Sequence, residues 1–179
     1  MHTGLDKNFF ELFGLPESFD VDLSRLAILY RDLQAQLHPD RHAAAAEAQR
    51  RLSVQMTAQV NEAYQTLKDP LRRARYILQL QGIEDSETDT RMDPEFLMEQ
   101  MALRETLESA REDKEPVARL DELTAEVDRA RNQRLQQLRV ALAADDETAL
   151  RQALTLTREL QFLEKLVVEI EQLEDELLP

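Results

Sequence analysis

The sequence of 179 residues contains no cysteine and only three glycines. The lack of cysteine excludes disulfide bonds, a thiolate nucleophile, and cysteine ligands for zinc or for an iron–sulfur cluster. No apolar run approaches the roughly 20 residues that a membrane-spanning helix needs. Abundant Leu, Ala, Glu, Gln and Arg favour helix in nearly all of the chain. We therefore expect an all-α protein that is soluble and cytoplasmic.

Charge is distributed unevenly along the chain. Residues 1–80 contain 10 Lys/Arg and 10 Asp/Glu, whereas residues 81–179 contain 12 and 26, so the second part carries the whole net charge of −14. This acidity argues against nucleic acid and anionic membranes as partners. The contrast indicates two modules, which we place at 1–81 and 94–179. The polar, acidic residues 82–93 lack helical periodicity and are predicted to be the linker.

The first module contains two amphipathic patterns separated by a short break. Before the break, apolar residues recur at intervals of three and four residues, which is typical of one face of a helix. They are Leu23, Leu26, Tyr30, Leu33 and Leu37. After it, the spacing continues from about Glu47 to Lys68 in Leu52, Met56, Val60, Ala63, Tyr64 and Leu67. Pro39 cannot continue the first helix, because it has no N–H and biases His38 away from helical angles. The pattern predicts an antiparallel helix pair with a rigid, exposed corner at His38-Pro39-Asp40.

Short helical segments flank this pair. The first, ended by Gly14 and Pro16, supplies large apolar side chains at Phe9, Phe10, Leu12 and Phe13. Asp20 or Asp22 is placed to cap the first helix of the pair. A last helix begins at Asp69-Pro70, ends at Gly82 and carries Ala74, Ile77, Leu78 and Leu80.

The acidic module is predicted to form three helices joined by short turns, which is typical of an antiparallel bundle. The first begins at Asp93-Pro94 and ends near Arg111. The second runs from about Pro116 to Ala144, with apolar members at Val117, Leu120, Leu123, Val127, Ala130, Leu138 and Leu142. The third begins near Glu147 and carries Leu160, Leu163, Leu166, Val167, Ile170, Leu173 and Leu177.

The first helix of this module has two apolar faces. Core spacing is found at Phe96, Leu103, Leu107 and Ala110, whereas Leu97, Met98 and Met101 lie off that line. Phe162 is likewise displaced from the stripe of the third helix. Such a helix either is sandwiched within its own protein or presents one face to a partner. The residues alone leave both interpretations open, because methionine often fills gaps in cores.

His38 taken alone permits several interpretations. A general base needs a partner and a pocket, and a metal site needs further ligands. The only other histidines, His2 and His42, have no supporting helical spacing. In an unrelated helical protein, His38 would be an ordinary residue at a helix end, where a cation suits the helix dipole. We predict no catalytic residue, no metal ligand and no cofactor.

The first 80 residues resemble a J-domain, the co-chaperone module of DnaK-type chaperones. The resemblance rests on NFFELFGLP, LHPDR and NEAYQTLKDP, with the His-Pro-Asp tripeptide between the two long helices. The whole chain resembles the HscB family, the dedicated co-chaperones of iron–sulfur cluster assembly. That wider resemblance rests on RRARYILQLQG at 72–82, FLMEQMALRETL at 96–107 and RELQFLEKL at 158–166. It implies a J-domain followed by the three-helix bundle.

The resemblance implies a role for the tripeptide corner. In J-domains the tripeptide contacts the ATPase domain of the chaperone and stimulates ATP hydrolysis there. This assigns His38, Pro39 and Asp40 to contact with an HscA-like chaperone. Arg31, about two helical turns before His38, and Arg41 are the nearby cations, although a solvated surface role is equally compatible with Arg31 alone. Many J-domains carry a Lys/Arg run before the tripeptide, where this chain has residues 34–36, Gln-Ala-Gln.

The resemblance also implies that the bundle docks an IscU-like iron–sulfur scaffold protein. The matching positions are Leu97, Met98, Met101, Glu105 and Phe162, and Ala102 stands where relatives often have an acidic residue. The expected function is to deliver the scaffold to the chaperone and to stimulate the ATPase of the chaperone, with no catalysis by the chain itself. Three alternatives remain. A general co-chaperone for unfolded clients would want a Gly/Phe-rich region, a coiled-coil adaptor would make the tripeptide incidental, and an enzyme would need a convergent polar cluster.

Overall fold

The computed structural model describes residues 7–37, 47–83, 93–144 and 146–177. Within these ranges the regular structure is helical, which confirms the all-α prediction. The helices are α1 Phe9–Phe13, α2 Leu23–Leu37, α3 Glu47–Lys68, α4 Pro70–Leu80, α5 Pro94–Ala110, α6 Pro116–Ala143 and α7 Glu147–Leu177. They form two compact units, Met1–Leu80 and Gln81–Pro179.

The first unit is built around the pairing of α2 with α3, and α1 and α4 pack against α3. The rings of Tyr30 and Tyr64 stack at 4.0 Å between centroids and join α2 to α3. The ring of Phe9 stacks on Tyr76 at 4.3 Å, and the Phe9 N–H donates to the Tyr76 hydroxyl at 2.9 Å. The apolar core of the unit contains Phe10, Phe13, Phe19, Leu26, Val60, Ala63, Leu67, Leu71, Ala74, Ile77 and Leu78.

Polar caps begin several of the helices. The carboxylate of Asp22 accepts the N–H of Arg25 at 3.0 Å, so Asp22 caps α2. In the same way, backbone N–H groups in the first turns of α4, α5 and α7 donate to Asp69, Asp93 and Asp146. Gly14 and Gly82 follow α1 and α4 with φ of +61° and +73°, a left-handed conformation that favours glycine.

The second unit is the predicted antiparallel three-helix bundle. α6 and α7 pack against each other most extensively, and α5 packs on both. Arg104 pairs with Glu169 at 3.2 Å and Arg111 pairs with Glu176 at 2.9 Å, so α5 runs parallel to α7. The core of the bundle contains Leu103, Ala110, Leu120, Leu123, Val127, Leu163, Leu166, Ile170 and Leu173.

Three predicted members of the apolar stripes are exposed to solvent. Leu23, Val117 and Leu80 are 48%, 43% and 37% exposed. Each lies in the first or last turn of its helix, where neighbouring helices cover fewer positions. The periodicity therefore continues beyond the part of each helix that is packed.

Candidate functional site

The tripeptide His38-Pro39-Asp40 and the adjacent Arg41 lie outside the described residues, so their roles stay predictions. The structure does describe how the helix before them is held. The hydroxyl of Ser53, a buried residue of α3, donates to the carbonyl of Leu37 at 2.8 Å. Leu37 is the last residue of α2, whose final carbonyls have no partner within the helix. Ser53 thus ties the end of α2 to α3 one residue before the tripeptide.

A polar cluster one to two turns earlier strengthens the same pairing of helices. The Tyr30 hydroxyl donates to the side-chain carbonyl of Asn61 at 3.0 Å. The Gln34 amide donates to the Tyr30 hydroxyl at 2.5 Å and to Asn61 at 3.2 Å. Arg31 is exposed on α2, and its Nε donates to the carbonyl of Ala27 at 3.1 Å. The guanidinium of Arg31 therefore follows the surface of its own helix.

In the bundle, α5 presents a row of large apolar side chains to solvent. Leu97 is 42% exposed, and Met98 and Met101 are each 71% exposed. Glu105, one turn beyond Met101, is also exposed. The prediction that Leu97, Met98 and Met101 form a second apolar face is therefore confirmed, and we call these three residues the α5 surface. Their role in binding a partner remains a prediction.

Phe162 borders the α5 surface but is half-buried and packed against the bundle core. Its ring meets the ring of Phe96 edge to face at 5.9 Å, and the Arg104 guanidinium lies 5.8 Å from its centroid. The ion pairs Arg104–Glu169 and Arg111–Glu176 are separated by seven residues on both α5 and α7. Seven residues before Arg104 and Glu169 lie Leu97 and Phe162, so these two residues are at the same level of the bundle. Phe162 is thus partly a core residue, so truncating it is expected to lower stability.

The structure also contains an ion network that the sequence analysis missed. Arg134 of α6, with a side chain only 11% exposed, donates from Nε to Glu159 of α7 at 2.7 Å and also donates to Glu99 of α5. Its guanidinium lies 4.8 Å from the ring centroid of Phe96. One side chain therefore contacts all three helices of the bundle. A signal was present, because Arg134 interrupts the apolar line of α6 four residues before Leu138.

Burial changes the acid–base behaviour of this network. Desolvation raises the pKa of Glu159 above the ordinary value for a glutamate. The hydrogen bond and charge of Arg134 act in the opposite direction, while the carboxylates of Glu99 and Asp93 raise the pKa further. The net direction is upward, since the burial effect is the largest. Protonation of Glu159 is consequently easier in the folded protein than in the unfolded chain.

The described ranges lack the features of a metal site and of a membrane span. These residues contain no group of three or more His, Cys, Asp or Glu side chains placed to hold a metal ion. None of the helices over the same ranges is both long and apolar enough to cross a membrane. The surfaces that stand out are accordingly the end of α2 and the α5 surface.

Comparison with known proteins follows the same division of the chain. A family model described as the DnaJ domain matches residues 8–76, and one described as the HSCB C-terminal oligomerisation domain matches residues 92–171. The co-chaperone protein HscB homolog of Vibrio cholerae is 48% identical over 172 residues, which cover 96% of this chain and 99% of that protein. The homolog of Shewanella baltica is 47% identical with the same coverage.

Solved structures show the same similarity. The chaperone HscB from Vibrio cholerae has a TM-score of 0.86 at 47% identity and covers 96% of this chain and 100% of its own. The human co-chaperone protein HscB has a TM-score of 0.85 at 28% identity, with 94% and 83% covered. The Jac1 co-chaperone from Saccharomyces cerevisiae has a TM-score of 0.70 at 26% identity, with 92% and 94% covered. The similarity extends over both units of the chain.

Proposed function

Since this chain belongs to the HscB family of co-chaperones, we propose that it delivers an iron–sulfur scaffold protein to a DnaK-type chaperone. The chaperone is HscA-like and the scaffold is IscU-like. The J-domain unit docks on the chaperone and stimulates ATP hydrolysis there, while the bundle holds the scaffold. The chain supplies binding surfaces and performs no chemical step itself, and we place this activity in the cytoplasm.

The chemistry of the tripeptide suits the first contact. Asp40 offers a carboxylate that can accept two parallel hydrogen bonds from an arginine of the chaperone. Pro39 restricts the backbone of the corner, so that little conformational entropy is lost on docking. The bond from Ser53 to the carbonyl of Leu37 limits the movement of the helix end that leads into the corner. Arg31, exposed on the same helix, extends the contact toward the acidic groups of a partner.

The exposure of the α5 surface is the observation that best supports scaffold binding by the bundle. Leu97, Met98 and Met101 expose large apolar side chains in one row on a folded bundle. Contiguous exposed apolar residues of this kind are typical of binding surfaces. Methionine adapts its shape to a partner, and a few central apolar anchors supply most of the energy of an interface. Glu105 lies at the edge of the row, where a charge selects partners without being desolvated.

Steady-state ATP hydrolysis by the purified chaperone tests this proposal. The rate is measured with the scaffold alone, with this protein alone, and with both together. We expect this protein to raise the rate by itself and the two together to raise it further, because the scaffold is brought to the chaperone at high local concentration. The proposal is wrong if this protein leaves the rate unchanged in both the presence and the absence of scaffold.

A further inference from the structure

Oxidisable sulfur is distributed unevenly in this protein. The sequence has no cysteine and five methionines, of which Met1 and Met92 lie outside the described residues. None of the buried apolar residues in the described ranges is a methionine, so the cores of both units consist of Leu, Ile, Val, Ala and Phe. Met98 and Met101 are each 71% exposed on α5, whereas Met56 of α3 is half-buried. The most accessible thioethers of the described ranges therefore lie on the α5 surface.

Met98 and Met101 are neighbours on the solvent side of α5. Residues three apart on a helix lie next to each other, so the two thioethers fall within one patch, which Leu97 completes. The inward residues Phe96 and Leu103 are 3% and 2% exposed and anchor the same part of α5 in the bundle. A chemical change at Met98 or Met101 thus alters the surface and leaves the buried contacts of the helix in place.

Hydrogen peroxide converts such a thioether into a sulfoxide. One peroxide oxygen forms a bond to the sulfur as the O–O bond breaks, the sulfur gives up two electrons, and the second oxygen leaves as water with both protons. The product is polar and places a hydrogen-bond acceptor where the thioether was apolar. Burying that acceptor against an apolar partner without a hydrogen bond is unfavourable. Oxidation therefore opposes the kind of contact that the α5 surface offers.

The reverse step is possible, but the chain cannot carry it out. Reduction of a sulfoxide takes two electrons and two protons, and the oxygen leaves as water. Two thiols of a methionine sulfoxide reductase supply both by forming a disulfide, whereas this chain has no cysteine. The exposure of Met98 and Met101 gives such an enzyme access to both sulfurs without unfolding of the bundle.

We propose that Met98 and Met101 form a reversible oxidation site, and that their sulfoxides close the α5 surface to an apolar partner. The effect on scaffold delivery rests on the proposed function, whereas the oxidation site itself does not. The tripeptide corner contains no sulfur. Oxidation therefore separates the two activities, because scaffold binding falls while stimulation of the chaperone by this protein alone persists.

The first measurement needs no partner protein. The purified protein is treated with hydrogen peroxide, and tandem mass spectrometry of its peptides gives the oxidation rate of each methionine. We expect Met98 and Met101 to oxidise several-fold faster than Met56, and the melting temperature to stay nearly constant. A mixture of the two reductases that act on the two sulfoxide epimers should restore both residues. Rates no faster than that of Met56, or unfolding that accompanies oxidation of Met98 and Met101, would overturn the inference.

The second measurement is the affinity for the IscU-like scaffold, with each protein compared before and after peroxide treatment. Oxidation should weaken binding by the wild type by about tenfold or more, and the reductases should restore it. The variant Met98→Leu, Met101→Leu has no thioether at the site, so peroxide should leave its affinity close to its own untreated value. Met56→Leu, Met92→Leu is the matched control, and it should stay as sensitive to peroxide as the wild type.

The outcomes separate the oxidation site from the proposed function. A scaffold affinity that survives full oxidation of Met98 and Met101 would overturn the inference, as would an equal loss in the variant with leucine at both positions. An untreated wild-type protein that does not bind scaffold would contradict the proposed function. The oxidation rates and the melting temperature would then still decide whether Met98 and Met101 form a reversible oxidation site.

Discussion

The two units of the molecule are stabilised by different kinds of side-chain contact. Seven of the nine aromatic residues lie in the first unit, which has no net charge. There, aromatic rings stack between helices, as Tyr30 of α2 does on Tyr64 of α3. The acidic bundle has a leucine-rich core and only two aromatic residues, Phe96 and Phe162, and these two contact each other beside the α5 surface.

The difference follows from the kind of surface that each unit presents. A corner between two helices is positioned when the helix ends are fixed, and Ser53 fixes the end of α2 through the carbonyl of Leu37. In the bundle, Arg134 of α6 instead donates to Glu99 of α5 and to Glu159 of α7, on the sides of the helices. The described polar contacts thus include one at a helix terminus in the first unit and an ion network between the sides of helices in the bundle.

The largest expected effect concerns the corner. We predict that His38→Gln abolishes stimulation of the chaperone ATPase, because the tripeptide is the proposed contact with the ATPase domain. Melting temperature and helicity should stay close to those of the wild type, since the sequence predicts the corner to be exposed and surface changes usually cost little stability. Scaffold affinity should be unaltered, because the bundle is untouched. Stimulation that survives the change would remove the corner from the mechanism.

The next effect concerns the α5 surface. Replacing Leu97, Met98 and Met101 together by alanine should weaken scaffold binding by roughly a hundredfold, since central apolar anchors carry most interface energy. Isothermal titration calorimetry measures the affinity, and the melting temperature should stay nearly constant.

The matched control for that variant is the pair Val140→Ala and Val168→Ala. These valines are 70% and 49% exposed on the same bundle but lie on α6 and α7. Their replacement should leave scaffold affinity unchanged. Equal losses in both variants would indicate a general effect of apolar surface and would contradict a defined docking surface.

The two aromatic residues of the bundle, Phe96 and Phe162, should differ in how much each contributes to stability. Phe96 is 3% exposed, so Phe96→Ala should lower the free energy of unfolding by about 3–5 kcal/mol. Phe162 is half-buried, so Phe162→Ala should cost about half as much and should also weaken scaffold binding. Urea denaturation measures both values. A Phe162 variant that loses no stability would show that its contacts with Phe96 and the core are unimportant.

The smallest expected effect is a pH dependence caused by Glu159. Because burial raises the pKa of Glu159 in the folded state, the stability that its protonation confers is complete below the ordinary glutamate pKa. It is lost as the pH rises through the raised value. Glu159→Gln removes this titration, so wild-type stability should fall relative to the variant as the pH rises from below the ordinary glutamate pKa through the raised value. A difference in unfolding free energy that moves in the opposite direction would contradict this account.

The sequence predicted the helices well because their boundaries are local. Prolines at 70, 94 and 116 and the aspartate caps act within a single turn, and the observed starts of α4, α5 and α6 are at those prolines. The exposed Met98 and Met101 were also predictable, since they lie off the core line of their own helix.

The ion network was not predicted because its partners are distant in the chain. Arg134 is 35 residues from Glu99 and 25 from Glu159, and no local pattern pairs them. The position of Arg134 on the apolar line of α6 indicates a buried cation, but it does not identify the carboxylates that pair with it. The partial burial of Phe162 escaped prediction for a similar reason, because it depends on Phe96 of another helix.

We propose that one chain joins the scaffold to the chaperone through two separate surfaces. It is tested most directly by mixing the His38→Gln variant with the variant that has alanine at Leu97, Met98 and Met101. Each variant then supplies the surface that the other lacks. Chaperone ATPase is measured with scaffold present, against the wild-type protein at the same concentration. We predict that the mixture gives no more stimulation than the alanine variant alone, because a scaffold held by one chain is not delivered by another. Stimulation restored to the wild-type level would contradict the claim.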